Sequence, residues 1–329
     1  MKLGSLKLEN RVFLAPMAGI TDLPYRTIMK RFGAGLVYSE MVSAKGLIYA
    51  GIRTRELLNS STEERPLALQ LFGSEPNDLA EAAKRIEGDG ELIDINLGCP
   101  VNKVVRSGAG SALMKDPSRV QNIIRAVRAA TALPLTIKIR SGWDQETINF
   151  LEIGRVAEGE GIDAITLHSR TRSQGFSGDA NWDQIRQLKD AVAIPVIGSG
   201  DIFEAQDGIN MVNTTGCDAV MIGRGSYGNP WLIRDVAQRL QGNPSPLPPT
   251  LQERKLAALD HLKLQIDFAG EQRAMYEMRK HLCWYVRGLK GAASFRASLN
   301  QANTIVDQSE LLDRFFATVE SENKEMNVS

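Results

Sequence analysis

Cys99 sits in the segment Gly98-Cys99-Pro100, directly after an apolar run, with no second ligand at metal-binding spacing. An unperturbed thiol has a pKa of about 8.5, so at neutral pH it is mostly protonated and can donate its proton. A nucleophilic thiol would instead need a neighbouring base, and both roles stand at this point. Cys217 and Cys283 lack any such setting and read as inert thiols. Lys138 lies within another apolar run. An ammonium so placed is costly unless it faces an anionic or electron-rich group; an ion pair with Glu40 or Asp94 is the structural alternative. Gln70 and Asn96 carry amides of the kind that grip a heterocycle edge. His168, beside Arg170, reads equally as a core histidine and as a site histidine. Two glycine loops, Gly198-Ser199-Gly200-Asp201 and Gly223-Arg224-Gly225, can close backbone N–H groups on a phosphate, with Arg224 as a charged clamp. One such loop would mean only a tight turn; two at neighbouring strand ends point to an anion site.

These residues need a scaffold that gathers them. Continuous apolar runs cover residues 12–15, 36–39, 67–71, 92–96, 135–139, 164–167, 195–198 and 219–222. Amphipathic stretches lie between them at 23–31, 78–87, 117–130, 147–159, 182–189 and 202–213. Strands without alternation, interleaved with helices, are parallel strands covered on their outer face. Eight of them in about 230 residues predict a (β/α)8 TIM barrel, an α/β fold whose active site lies at the C-terminal strand ends. A doubly wound sheet would not need eight even repeats, and no G-x-G-x-x-G follows the first strand. The barrel is expected over residues 1–242. Four prolines, at 244, 246, 248 and 249, make 243–250 a linker. Residues 251–329 read as a small all-helical C-terminal domain, with helices at 251–269, 273–290 and 294–320. Between Arg273 and Arg296 it carries Arg273, Arg279, Lys280, Arg287, Lys290 and Arg296 against Glu277 alone.

The chain has 329 residues, 43% hydrophobic and 24% charged, which excludes disorder as its main state. Lys+Arg and Asp+Glu both number 39, so a uniformly basic nucleic-acid binder is excluded and a local basic patch is not. Three scattered cysteines fit a reducing cytoplasm rather than a disulfide scaffold. No run approaches the roughly 18 apolar residues of a membrane span, and residues 1–10 lack a signal-peptide core. The expected protein is cytoplasmic, monomeric and free of resident metal.

Several unlinked motifs, in order, resemble the dihydrouridine synthase family, nearest to its bacterial B-type branch. They are Ala15-Pro16-Met17-Ala18-Gly19-Ile20-Thr21-Asp22, Asp94-Ile95-Asn96-Leu97-Gly98-Cys99-Pro100, Ser107-Gly108-Ala109-Gly110-Ser111-Ala112-Leu113, Lys138-Ile139-Arg140 and Gly223-Arg224-Gly225. Arg279-Lys280-His281 extends the likeness into the helical region. The resemblance implies an FMN enzyme that reduces the C5–C6 double bond of uridine in tRNA, with NADPH as reductant. It implies that Pro16, Met17 and Ala18 line the flavin ring, and that Gln70 and Lys138 bond its pyrimidine edge. His168, Ser199, Gly200, Asp201, Gly223 and Arg224 would hold the ribityl chain and phosphate. Cys99 would protonate C5, with Asn96 and Arg140 against the target uracil. A stacked base cannot reach such a site, so the uridine must be extruded; Arg279, Lys280, Arg287 and Lys290 would grip the backbone around it. Tyr276, Trp284 and Tyr285, interleaved with them, read more readily as helix-packing core. The family commonly has Asn where this chain has Ser199 and Gly where it has Ser169. An FMN reductase of a free pyrimidine, a synthase acting on rRNA, and a non-catalytic RNA-binding module are the competing functions.

Overall fold

The computed structural model describes residues 1–49 and 51–326. Ala50 and residues 327–329, the end of the expected helical region, lie outside the described residues. Eight parallel strands run in sequence order around a ring: β1 Val12–Leu14, β2 Val37–Tyr38, β3 Leu67–Phe72, β4 Leu92–Asn96, β5 Leu135–Arg140, β6 Ala164–His168, β7 Val196–Ser199 and β8 Ala219–Ile222. β8 pairs with β1, and a single bridge, Phe13 to Leu36, links β1 to the start of β2 and closes the ring. This is the expected TIM barrel. Its strands read as unbroken apolar runs because side chains are buried on both faces, barrel interior and helix layer alike.

Helices α1 Leu23–Arg31, α2 Pro76–Arg85, α3 Pro117–Ala130, α4 Phe150–Gly159, α5 Trp182–Ala191 and α6 Ala205–Thr215 cover the ring. Their starts follow local chemistry. Asp22 and Asp116 accept the Tyr25 and Arg119 N–H groups at 3.1 and 3.0 Å, and a proline opens the first turn of each helix. After β2 the chain departs from the expected pattern. The strand keeps only Val37–Tyr38, a further short strand, Val42–Ser43, pairs with the far end of β3, and two short helices follow, Ala44–Ile48 and Ile52–Glu56. At the other end of the barrel a hairpin of Lys2–Leu3 with Leu6–Lys7 seats Leu3 and Leu8 among Phe13, Leu36, Ala68, Leu92, Ala164 and Ala219.

The chain divides into two compact units. Met1–Gly225 and Ile233–Pro244, the latter holding most of helix α7 Trp231–Leu240, form the barrel unit; Ser226–Leu232 joins the residues from Ser245 onward. The proline run therefore marks the last of three crossings of the chain between the units, while the first two, at residues 226 and 233, carry no such signal. The second unit contains α8 Leu251–Ala269, α9 Glu271–Tyr285, α10 Ala292–Gln301 and α11 Ile305–Met326. A capping box of Thr250 with Glu253 starts α8. The expected single helix over 294–320 is in fact two. Asp307 accepts the Asn303 and Thr304 N–H groups and Thr304 Oγ1 accepts from Asp307, so a new helix starts here.

Candidate functional site

The pairing register of β3, β4 and β5 sets the chemistry at the barrel mouth. Gln70 lies opposite Asp94, and Asp94 opposite Thr136; one layer higher Asn96 lies opposite Lys138. Alternate residues of a strand share a face, so Asp94 and Asn96 point the same way. A chain of hydrogen bonds joins the two layers. Thr136 Oγ1 and Gln70 Nε2 each donate to the Asp94 carboxylate at 2.6 Å. Asn96 Nδ2 donates to Gln70 Oε1 at 2.8 Å. Asn96 Oδ1 accepts the Gly98 and Cys99 N–H groups at 3.2 and 2.9 Å. A carboxylate can only accept, so Asp94 dictates which end of the Gln70 amide it meets. That choice fixes Asn96, and Asn96 fixes the Cys99 loop. Burial pushes the Asp94 carboxyl up to about 6 against the Gln70 and Thr136 bonds.

Cys99 is buried with Val104 and Ala109, packed by Met41 and Phe72. Burial raises its thiol above the ordinary value, against the Val101 N–H and the charges of Arg140 and Lys138. The thiol is therefore protonated at neutral pH, as an acid must be. Thiolate-dependent alkylation of Cys99 by iodoacetamide is expected to rise only at a pH above that of a free cysteine thiol. A midpoint below the free thiol would reverse the assignment and make Cys99 a nucleophile.

Lys138 makes no ion pair with Glu40 or Asp94 among the described residues, and its ammonium has no hydrogen-bond acceptor there. Burial, then the neighbouring Arg140, lower it to about 8. Around the next strand end, four cations surround His168. Burial first, then Lys138, Arg140, Arg170 and Arg224, hold its imidazole well below the ordinary value, so the ring is neutral. Arg170, two residues on, donates to both carboxylate oxygens of Asp201 at 2.8 and 2.6 Å and also to the Gly178 carbonyl. Arg224 reaches the same carboxylate at 3.3 Å. Burial raises the Asp201 carboxyl, but Arg170 overrides it and leaves it below the ordinary value. Asp201 is thus the orienting partner of two arginines, in a left-handed conformation with φ of 55°.

The remaining glycine and loop positions close the mouth. A Cβ at Gly200, where φ is 122°, would lie 2.8 Å from Ala180 and 3.1 Å from the His168 ring. Only glycine fits there. Gly223 faces Ala15 and Met17, so the β8 and β1 loops meet. The Pro16-Met17-Ala18 turn is tied by Thr21 Oγ1, which accepts the Met17 N–H at 3.0 Å. Below it the buried pair Arg26–Glu64 holds the Thr21 carbonyl through Arg26 Nη1.

Besides Asn96 and Asp201, two further expected ligands are already engaged. Gln70 is fully buried with both amide ends bonded. Arg140, expected against a nucleobase, spends Nε on the Gly98 carbonyl at 3.0 Å and Nη1 on the Thr171 and Gly175 carbonyls at 2.9 Å each. It staples the Cys99 loop to the loop after β6. That loop raises Phe176, 55% exposed, over Arg224 and Arg140, at 4.3 and 5.6 Å from their guanidinium carbons. The sequence reading missed Phe176. Its signal was an aromatic between Gly175 and Gly178, both at positive φ.

In the helical unit the expected basic set divides. Arg287 and Lys290 are exposed, Lys290 pairing with Glu322 at 3.3 Å. Arg279 donates from Nη2 to the Ala302 carbonyl and its Nε is buried. Lys280 is half-buried. Tyr285 is core and Trp284 stacks on Tyr227, but Tyr276, read as core, is 59% exposed.

Residues 13–320 match the family model described as Dihydrouridine synthase (Dus). The chain belongs to the dihydrouridine synthase family. It is 40% identical to tRNA-dihydrouridine synthase B of Pasteurella multocida, over 100% of this chain and 99% of that one. It is 41% identical to a probable tRNA-dihydrouridine synthase of Rickettsia conorii, over 98% of each. Among solved structures, histamine dehydrogenase from Rhizobium and 2-naphthoyl-CoA reductase share its fold at TM-scores of 0.55 and 0.57, with 13% and 12% identity. They cover 80% and 74% of this chain, which spans only about half of each, 50% and 52%. No helix among the described residues is long and apolar enough to cross a membrane, and no group there could hold a metal ion.

For this dihydrouridine synthase, Asn96→Ala removes two bonds to the Cys99 loop. Each is worth about 1 kcal/mol net. Hydrogen exchange at the Gly98 and Cys99 amides is expected to accelerate by roughly tenfold or more, with exchange in β1 and β8 unchanged.

Proposed function

We propose that the chain is a cytoplasmic, FMN-dependent, NADPH-driven tRNA-dihydrouridine synthase. The observation that carries this reading is the pairing, at one barrel mouth, of a protonated buried thiol with a buried lysine that has no hydrogen-bond acceptor among the described residues. The residues fit a flavin mononucleotide. Lys138 needs an electron-rich acceptor, the cations around His168 suit a phosphate, and Gly200 and Gly223 leave the backbone open. Pro16, Met17 and Ala18 would line its ring, Lys138 its pyrimidine edge, and Ser199, Gly200, Gly223 and Arg224 its ribityl phosphate. Asp201 holds Arg170 and Arg224 in place for that anion. Bound FMN would supply a hydride, drawn from NADPH, to C6 of the uridine.

The protein's own work is proton placement and charge control. Lys138 stabilises negative charge at the mouth, where low dielectric strengthens its effect. Cys99 gives its Sγ proton to C5; the thiolate left behind takes a proton from water. Asn96 keeps the thiol loop in register, and Arg140 holds that loop against the segment bearing Phe176. Arg287 and Lys290 offer charge to tRNA phosphates.

The test is direct. Dihydrouridine is mapped by mass spectrometry in RNA from cells with and without the protein. Loss from tRNA sites alone is expected. Loss from rRNA instead would move the substrate; unchanged maps, with turnover of free uracil or orotate by the purified protein, would favour a small-molecule reductase.

A further inference from the structure

The short helix Asn102–Arg106 begins three residues after Cys99. Its Val104 is buried beside the thiol, which anchors the helix to the reactive loop. Lys103 and Arg106, three apart, share a side of the helix and are exposed. Neither forms an ion pair among the described residues. Residues 100–115 hold Lys103, Arg106 and Lys115 and no acid at all, in a chain whose charges sum to zero. A second strand end adds to this rim. Arg172, on the loop after β6, donates to Asn102 Oδ1 at 3.0 Å and lies 4.6 Å over the Trp143 ring. Lys115 sits over the same ring at 3.6 Å. Three loops of the catalytic face thus meet in one patch of cations, two of them oriented by an indole.

We propose that Lys103, Arg106 and Arg172 form a phosphate-gripping rim for the RNA backbone flanking the extruded nucleotide. The inference rests on the RNA-reducing function above and deepens it. Turning a base out of its stack costs a few kcal/mol, and cations beside the acid can hold the two flanking phosphates in the extruded geometry. The barrel unit then contributes its own share of RNA affinity instead of leaving it all to the helical unit. The whole molecule exerts no net attraction, so the attraction must be local.

The test compares two doubly reversed variants of the flavin-loaded enzyme, Lys103→Glu with Arg106→Glu and Lys2→Glu with Lys7→Glu. The second pair is exposed on the hairpin at the opposite barrel end and makes the same change in net charge. Binding of an unmodified tRNA transcript is measured across a salt series, alongside melting temperature and the rate of NADPH oxidation without RNA. The rim variant is expected to lose roughly tenfold or more in affinity, and its slope of log Kd against log salt to shrink by about two. Its NADPH oxidation and melting temperature should match wild type, and the hairpin variant should keep the full slope. Equal loss in both variants would mean general repulsion and would overturn the rim. So would an unchanged slope in the rim variant. If the wild type binds and reduces no RNA, the underlying function fails instead, and that outcome is separately visible. Arg172→Gln should remove about one unit of slope without charge reversal, which guards against a misfolded double variant.

Discussion

Cys99→Ala is expected to lower the rate of RNA uridine reduction by about 10²–10⁴-fold, the usual contribution of a positioned acid. On the proposed function, oxidation of NADPH by the flavin-loaded enzyme should stay within a small factor of wild type, because no proton from Cys99 would enter that half-reaction. Stopped-flow traces of the two half-reactions separate the effects. Equal loss in both would mean that Cys99 shapes the cofactor site and does not act as an acid. On the proposed role of the protonated thiol, RNA reduction should hold through neutral pH and fall in alkali, first as Lys138 loses its proton at about 8 and again as pH climbs through the elevated thiol value. A fall on the acidic side of neutrality would point to a thiolate.

Lys138→Met should cost function and return stability. The folded protein holds this ammonium at about 8, against an ordinary 10.5, so folding disfavours its charged form. The sign follows from proton linkage. The unfolded chain binds the proton more tightly, so wild-type stability rises as pH climbs from about 8 to 10.5 and the full penalty applies below that window. The penalty is on the order of 3 kcal/mol. The ligand-free variant is therefore expected to melt higher than wild type at pH 7, with the gap closing in alkali. Turnover of RNA should fall by about 10²-fold or more, as when a preorganised electrostatic group is removed. A melting temperature that drops with the substitution would show Lys138 to be a structural ion-pair partner after all.

How much of this was legible in the sequence varies with the physical cause. Residues such as Val220, Met221 and Ile222 are buried on both strand faces, so the unbroken apolar runs spelled out the barrel. The need for glycine at Gly200 was legible too, because a side chain there would collide with Ala180. Asp94 was treated only as a possible partner of Lys138. Its role as the acceptor that orients Gln70 arises from register between strands, which spacing along one strand does not reveal. Arg140 and Asp201, both at strand ends, are ligands in what the family resemblance implies. In the folded chain Arg140 ties backbone carbonyls and Asp201 steadies arginines. A strand end tells which face a residue reaches, not what else competes for it there. The break before α11 was missed although Thr304 and Asp307 signal it, because the apolar period continues across 302–304.

The leucine-lined hairpin under the barrel has a kinetic consequence. Leu3 and Leu8 cork the barrel from beneath, so the candidate site is reached from the opposite, C-terminal end of the strands. On the proposed function, donor nucleotide and RNA would use that same end in turn. Initial-rate plots for one at several fixed levels of the other should run parallel, and an excess of either should inhibit by crowding the threshold.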